Sequence, residues 1–203
     1  MGSAFLRNKM DIKAKAKKLL SLYGEFEAKA RAYREAAVCT PGCADCCINV
    51  GNVDAVTLEG WIILERMKTL EPGRRSRLHQ ALAENARIKR EATYARCPFL
   101  LDNLRCGIYP VRPFSCRRLY SLAPCGESGP TVHRQVWALA EETIAAIREL
   151  DDTGFSGHLS HILLLLQDPD FRRTYQNGEF APDFIRPFEF ARHLFINRRP
   201  VRK

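Results

Sequence analysis

Apolar side chains recur at steps of three and four residues along most of the chain, which is the pattern of amphipathic helices. From about Asp11 to Ala37, the face that carries Leu19, Phe26 and Ala30 predicts one long helix. A second helix is predicted to begin at Thr57, a candidate cap, and to end at the break Glu71-Pro72-Gly73, and a third runs from there to about Tyr94. Three more are predicted over residues 132–150, over residues 159–166, and between Asp168-Pro169 and Asn177-Gly178. The segment that follows, up to Phe195, is also read as helical.

The helical period disappears between Arg96 and Pro130, where five prolines, three glycines and four cysteines interrupt the chain. Short strands at residues 99–101 and 106–109 would form a small β-hairpin here. We therefore expect a mainly α fold, in which a helical domain surrounds an irregular, cysteine-rich hub. The whole chain, 1–203, is predicted to be a single domain with a cysteine-cluster core at about 39–125 and helical flanks at 11–37 and 131–197.

The composition is typical of a soluble protein, with 46% apolar residues in a chain of 203. The longest aliphatic run, Ile162 to Leu166, is far shorter than the roughly 20 residues of a membrane-spanning helix. The first residues lack the apolar stretch of a signal peptide. We therefore expect a cytoplasmic protein with no membrane partner. Thiols stay reduced in that compartment, so eight cysteines indicate metal binding or redox chemistry.

The formal net charge of +9, from 32 basic and 23 acidic residues, favours an anionic partner. Nucleic acid is not expected to be that partner, because no recognition motif is present and the aromatic residues fall at core positions. The sequence also has no glycine-rich phosphate loop, serine triad or paired-carboxylate site. The cysteines therefore remain as the candidate chemistry.

Four of the cysteines lie within nine residues, at Cys39, Cys43, Cys46 and Cys47. The first three have the C-x3-C-x2-C spacing by which radical S-adenosylmethionine enzymes hold a 4Fe-4S cluster. Against that class of enzyme, the motif follows a helix instead of a strand, and Asp45 occupies a place where an aromatic residue is customary. Adjacent side chains diverge and rarely both reach one tetrahedral zinc, so the last pair favours two metal atoms or two roles.

The other four cysteines, Cys97, Cys106, Cys116 and Cys125, fall nine, ten and nine residues apart. Those gaps are too long for one chelating knuckle, so separate turns have to converge on the first group. This predicts one metal site shared by both halves of the cysteine-rich region, with Cys125 either a ligand or a bystander. All eight cysteines are candidate metal residues, whereas the five histidines show no ligand spacing with a cysteine.

Three ordered blocks carry a family resemblance: CTPGCADCC from Cys39, CPFL from Cys97, and CGIYPVRPFSCR from Cys106 to Arg117. They match the pattern C-x2,3-C-x2-C-C, then C-P-F/L-L, then C-x-I/V-Y-x2-R-P-x2-C-R. The chain thus resembles the YkgJ-like CxxCxxCC cysteine-cluster family, which is described as a zinc- or iron-chelating domain and includes flagellin lysine N-methylases. The resemblance implies metal binding more firmly than catalysis.

The resemblance also implies which side chains form the site. The motif cysteines are Cys39, Cys43, Cys46, Cys47, Cys97, Cys106 and Cys116. Tyr109, Arg112 and Arg117 accompany them, and a guanidinium beside negatively charged thiolates can hold a substrate or cofactor carboxylate. We therefore predict these three as cofactor-binding residues, and no catalytic residue is identified.

Two functions are consistent with this site. An iron-sulfur cluster of the 4Fe-4S type is favoured over zinc, because the cysteines exceed the four ligands of a zinc site and lack histidine partners. The first hypothesis is an enzyme, methyltransferase-like, that uses the cluster and S-adenosylmethionine to modify a peptide or protein substrate. The alternative is a non-catalytic module that holds structural zinc or transfers electrons.

Overall fold

The computed structural model describes residues 10–49, 52–126 and 129–198, and most of these residues are helical. The helices are α1 (Ile12–Arg34), α2 (Asp45–Ile48), α3 (Thr57–Lys68), α4 (Pro72–Glu91), α5 (Phe114–Arg117), α6 (Arg134–Leu150), α7 (Leu159–Leu165) and α8 (Pro169–Gln176). The strands are β1 (Asp54–Val56), β2 (Phe155–His158) and β3 (Phe195–Ile196). Short 3-10 turns occupy Tyr109–Val111, Pro182–Ile185 and Ala191–His193.

Helix α1 forms one side of the hydrophobic core. Asp11 caps it by accepting a hydrogen bond from the backbone N–H of Lys13 at 3.1 Å. Its predicted apolar face is buried and packs chiefly against α6. The core also includes Phe99 and Phe114 from the cysteine-rich segment. Apolar side chains therefore anchor this irregular segment between the two helical flanks.

Helix α3 directly follows β1, and a carboxylate holds its N-terminus. Glu59 accepts a hydrogen bond from the backbone N–H of Val56 at 2.9 Å. Thr57, which we expected to cap the helix, is its first residue instead. The Thr57 hydroxyl donates to the carbonyl of Phe155 at 3.2 Å and accepts from its N–H at 2.8 Å. This residue therefore ties α3 to β2.

A three-stranded antiparallel sheet joins distant parts of the chain in the order β1-β2-β3. Asp54 pairs with His158 in one ladder, and Phe155 pairs with Ile196 in the other. The sequence did not predict these strands, because segments of two to four residues are too short for an alternating pattern to be recognised. The central strand β2 thus attaches the cysteine-rich region to the C-terminal flank.

The mainly α prediction is confirmed, and the predicted hairpin is present in a short form. Leu100 forms an antiparallel bridge with Cys106. Next to this bridge, the N–H of Leu101 donates to the Arg105 carbonyl at 2.9 Å, and the N–H of Gly107 donates to the Phe99 carbonyl at 2.8 Å. The turn presents Cys106 beside the rest of the cysteine-rich region.

The C-terminal flank departs from the helical expectation after α8. Two 3-10 turns and β3 stand where the pattern indicated a further helix. The clustered aromatic residues there pack on one another, as Phe188 does on Phe190 with ring centroids 5.1 Å apart, and this packing does not require helical spacing. Among the described residues, no helix is both long and apolar enough to cross a lipid bilayer.

Candidate metal centre

The first cysteine group lies on a tight turn and a short helix. The N–H of Cys43 donates to the Thr40 carbonyl at 2.9 Å, and Gly42 has a φ of 93° that a glycine adopts without strain. Helix α2 then carries Cys46 and Cys47. The two cysteines before α2 are exposed, whereas the two on it are partly buried.

Backbone hydrogen bonds bring the second cysteine group to the first. The N–H of Cys97 donates to the Cys47 carbonyl at 2.8 Å, which joins the two groups directly. Cys116 lies on α5, whose first N–H, that of Phe114, donates to Glu59 at 2.7 Å. Separate turns of the irregular segment therefore converge beside α2.

Five thiols form one group that spans both halves of the cysteine-rich region. We call Cys46, Cys47, Cys97, Cys106 and Cys116 the five-thiol group. Cys47 interacts through its thiol with both Cys46 and Cys97. Cys46 and Cys106 each lie within electrostatic reach of Cys116. We expected the adjacent side chains of α2 to diverge, but their thiols interact.

Cys46, Cys47 and Cys116 of this group are protonated at neutral pH. A hydrogen bond with Cys47, together with burial, raises the pKa of Cys46. The hydrogen bond with Cys46 lowers the pKa of Cys47, but a hydrogen bond with Cys97 and burial outweigh it and raise this pKa to about 12. Burial raises the pKa of Cys116 well above its ordinary value. A metal that binds here therefore displaces protons.

The remaining cysteines form a three-thiol group: Cys39, Cys43 and Cys125. The backbone N–H of Ser121 donates to Sγ of Cys39 at 3.3 Å. Cys125 is buried, and desolvation raises its pKa, with smaller contributions from the charges of Asp45, Cys39 and Cys43. The sequence left the position of Cys125 open, and the structure places it beside the first cysteines of the motif.

The donor set suits zinc or an iron-sulfur cluster, both of which take thiolate ligands. Within the ranges that the structure describes, no three His, Cys, Asp or Glu side chains already stand in ligating positions. A metal bound by thiols from both halves of the five-thiol group would cross-link the irregular segment.

The two motif arginines have different surroundings. The guanidinium of Arg112 stacks 3.9 Å from the ring centroid of exposed Tyr109, and its charge lowers the pKa of Cys106, which burial raises overall. Arg117 is only 7% exposed. It donates to Glu27 at 2.8 Å and to the carbonyls of Pro110 and Arg112 at 2.7 and 3.0 Å. Arg117 thus holds the motif loop, and Arg112 lies within electrostatic reach of Cys106.

A cleft of about 190 Å³ lies beside α5 and was not apparent from the sequence. Asp54, Ser115, Arg118 and Arg148 contribute to its walls. Burial raises the pKa of Asp54, although the two arginines oppose this shift. Nε of Arg118 is buried and has no hydrogen-bond partner within the described part of the chain. The only signal in the sequence is the doubled arginine that ends the last motif block.

Glu59 is a second residue that motif reasoning did not connect with the site. It is 4% exposed, and its carboxylate reaches α1, the start of α3 and the start of α5. Its place in the first turn of a helix marked it in the sequence only as a helix-stabilising acid. Nothing in the local pattern indicates that it also holds the cysteine-bearing α5.

Comparison with known proteins gives one family. Residues 38–138 match the model of the CxxCxxCC family, described as a putative zinc- or iron-chelating domain. The matched range contains all eight cysteines, including Cys125. Neither the curated proteins nor the solved structures give a significant match.

Proposed function

Because the chain belongs to the CxxCxxCC family through residues 38–138, we propose that it is a metal protein whose five-thiol group holds an iron-sulfur cluster. The family supports zinc or iron as the metal. The observation that supports a cluster is the gathering of five thiols at α2, which can supply the four thiolates of a 4Fe-4S cluster. An iron-sulfur cluster supplies electron transfer and, where one iron is open, a binding position for a small molecule.

The cleft beside α5 supports an enzymatic role for such a cluster. Ser115 contributes to the cleft wall and is the neighbour of Cys116 along the helix. Arg118 pairs with Glu141, also in the cleft wall, at 3.5 Å, but its buried Nε has no partner among the described residues and can donate to an anionic group such as a carboxylate. We assign the cleft to a peptide or protein substrate or to S-adenosylmethionine, whose amino-acid moiety carries a carboxylate.

The alternative function is a non-catalytic zinc or electron-transfer module. The irregular segment from Cys97 to Cys125 has little regular backbone pairing beyond the bridge at Leu100 and α5. A structural metal would supply the missing cross-links, since structural zinc contributes roughly 10–16 kcal/mol in small domains. A non-catalytic module of this kind does not require the cleft beside α5.

Anaerobic purification tests the cluster directly. We expect iron and acid-labile sulfide in comparable amounts and a broad visible absorption. Stoichiometric zinc without sulfide or colour would overturn the iron-sulfur proposal and leave the structural module. Absence of any bound metal, even after reconstitution, would overturn both functions.

The enzymatic role has its own test. Addition of S-adenosylmethionine to the reduced protein should change the electron-resonance spectrum, and Arg118→Gln should weaken that change. Arg87→Gln is the matched control, because Arg87 pairs with Glu84 on the exposed surface of α4. A spectrum that does not respond to S-adenosylmethionine would favour the electron-transfer module.

A further inference from the structure

His158 ends the central strand β2 and lies close to the first cysteine group. Its register partner is Asp54 on β1, the strand that follows the first cysteine group. The N–H of the next residue, Leu159, donates to the Val53 carbonyl at 2.8 Å and fixes the start of α7. The sheet thus carries a histidine from outside the family-matched range to the edge of the cysteine cluster.

A small cavity lies between this histidine and the cysteines. The cavity has a volume of about 10 Å³, and His158, Cys47, Cys97 and Asn85 are among the residues that line it. Cys47 and Cys97 are the pair that joins the two halves of the five-thiol group. His158 is therefore separated from the candidate ligands Cys47 and Cys97 by a cavity with room for about one atom.

The imidazole has an unused donor atom. Nδ1 of His158 is buried and has no hydrogen-bond partner among the described residues, and the same holds for Nδ1 of His161. Of these two histidines, His158 is the one that lines the cavity with Cys47 and Cys97. Buried polar atoms without a partner are rare in native proteins, and an unplaced ion or water is a common reason for one. Imidazole nitrogen together with thiolate is a usual ligand combination for zinc and also occurs at iron-sulfur centres.

We propose that His158 is a nitrogen ligand of the metal centre, completing the set that Cys47 and Cys97 begin across the cavity. This inference rests on the proposed metal-binding function. This ligand could not be predicted from the sequence, because the spacing between Cys97 and His158 follows no chelating motif. The competing explanation is a single water, since the cavity is just large enough for one.

Neighbouring His161 provides a matched control. Its ring stacks on Phe190 with centroids 5.1 Å apart, and its Nε2 lies 3.5 Å from the carbonyl of Ala86. It is at least as buried as His158 but does not line the cavity. His158→Gln and His161→Gln therefore remove the same imidazole from the same region, and only the first removes the proposed ligand.

X-ray absorption on whichever metal the full-length protein binds tests the proposal. We expect a nitrogen shell at roughly 2.0–2.1 Å beside sulfur at roughly 2.3 Å if the metal is zinc. His158→Gln should lose the nitrogen shell and bind metal at least about 10-fold more weakly, whereas His161→Gln should keep the nitrogen shell and the wild-type metal affinity. If His158→Gln fails to fold, His158→Cys provides a second variant, in which sulfur should replace the nitrogen.

The outcomes separate this inference from the proposed function. Bound metal without a nitrogen shell in the wild-type protein would overturn the role of His158 and leave metal binding intact. The same conclusion follows if His158→Gln keeps the metal spectrum and the metal affinity of the wild-type protein, as the water explanation requires. A wild-type protein that binds no metal would overturn the proposed function itself.

Discussion

Tyr23 donates its phenolic hydrogen to Oε1 of Glu59 at 2.5 Å, in the interior between α1 and α3. The same oxygen accepts the N–H of Phe114 at 2.7 Å, so one carboxylate connects α1, α3 and α5. The guanidinium of Arg117 lies 4.3 Å from the centroid of the Tyr23 ring. Burial raises the pKa of both Tyr23 and Glu59. Metal-motif residues are thus held by a polar network in the core.

Glu59→Gln should destabilise the protein. The amide keeps one acceptor oxygen, so at least one of the donors on Tyr23, Phe114 and Val56 loses its partner in a buried position. We expect a loss of about 1–3 kcal/mol in the free energy of unfolding, measured by urea denaturation. Tyr23→Phe removes a single bond and should cost less. Equal stability of Glu59→Gln and wild type would contradict this role.

Gly60 allows α3 and α7 to approach closely. A Cβ atom there would lie 2.7 Å from Ile162 Cγ2 and 2.8 Å from Leu166 Cδ1, both fully buried side chains. Gly60→Ala should therefore destabilise by about 1–3 kcal/mol, more than the roughly 1 kcal/mol that alanine gains in helix propensity. Gly24→Ala in α1 is the control, since no atom lies within 4 Å of its Cβ position. Gly24→Ala should stabilise the protein, and similar melting temperatures for the two variants would argue against close packing at Gly60.

Asp151 should make stability decrease with rising pH. Burial raises its pKa to about 7, although the Tyr175 hydroxyl donates to it at 2.6 Å. The folded protein therefore holds a proton that the unfolded chain releases above about pH 4. The stability from this carboxyl is complete below about pH 4 and is lost as the pH approaches about 7. Asp151→Asn should remove this loss.

Urea denaturation at about pH 5 and about pH 8 measures the effect of Asp151. Burial lowers the pKa of His158 to about 3 and that of His161 to about 4, which gives a slope of the opposite sign. Wild type and variant are therefore compared at each pH. Exposed Asp102→Asn is the control and should keep the wild-type slope. If the free energy of unfolding changed with pH in the same way in wild type and Asp151→Asn, the raised pKa of Asp151 would be refuted.

Metal binding should release protons. The raised pKa values of Cys46, Cys47 and Cys116 mean that each of these thiols gives up a proton when it becomes a ligand. A site of four thiolates then releases about four protons, and affinity rises steeply with pH. Calorimetry in buffers of different ionisation enthalpy counts the protons released on metal binding. Metal uptake without proton release would show that these thiols are not the ligands.

The two thiol groups should respond differently to substitution. Cys47→Ala should lose most of the bound metal, because Cys47 interacts with both Cys46 and Cys97. Cys125→Ala should retain more of it, since Cys125 belongs with Cys39 and Cys43. Elemental analysis after gel filtration provides the comparison. Equal metal loss in both variants would indicate one continuous site of all eight cysteines.

Local patterns predicted the helices well, because each buries a single apolar face, as α1 does through Leu19 and Phe26. They also placed the motif cysteines in one region. The pairing of Asp54 with His158 could not be predicted, since it joins short strands far apart in sequence. The cleft at Arg118 and the division of the cysteines into two groups likewise depend on tertiary packing, which spacing along the chain does not encode.

The central position of β2 has a consequence for how the protein is made. During translation, all eight cysteines are synthesised before β2 and β3. Until then β1 has no partner strand, and His158 is absent from the edge of the cluster. The nascent chain is therefore the species most exposed to oxidation and to the wrong metal, and metal binding after chain release would avoid both.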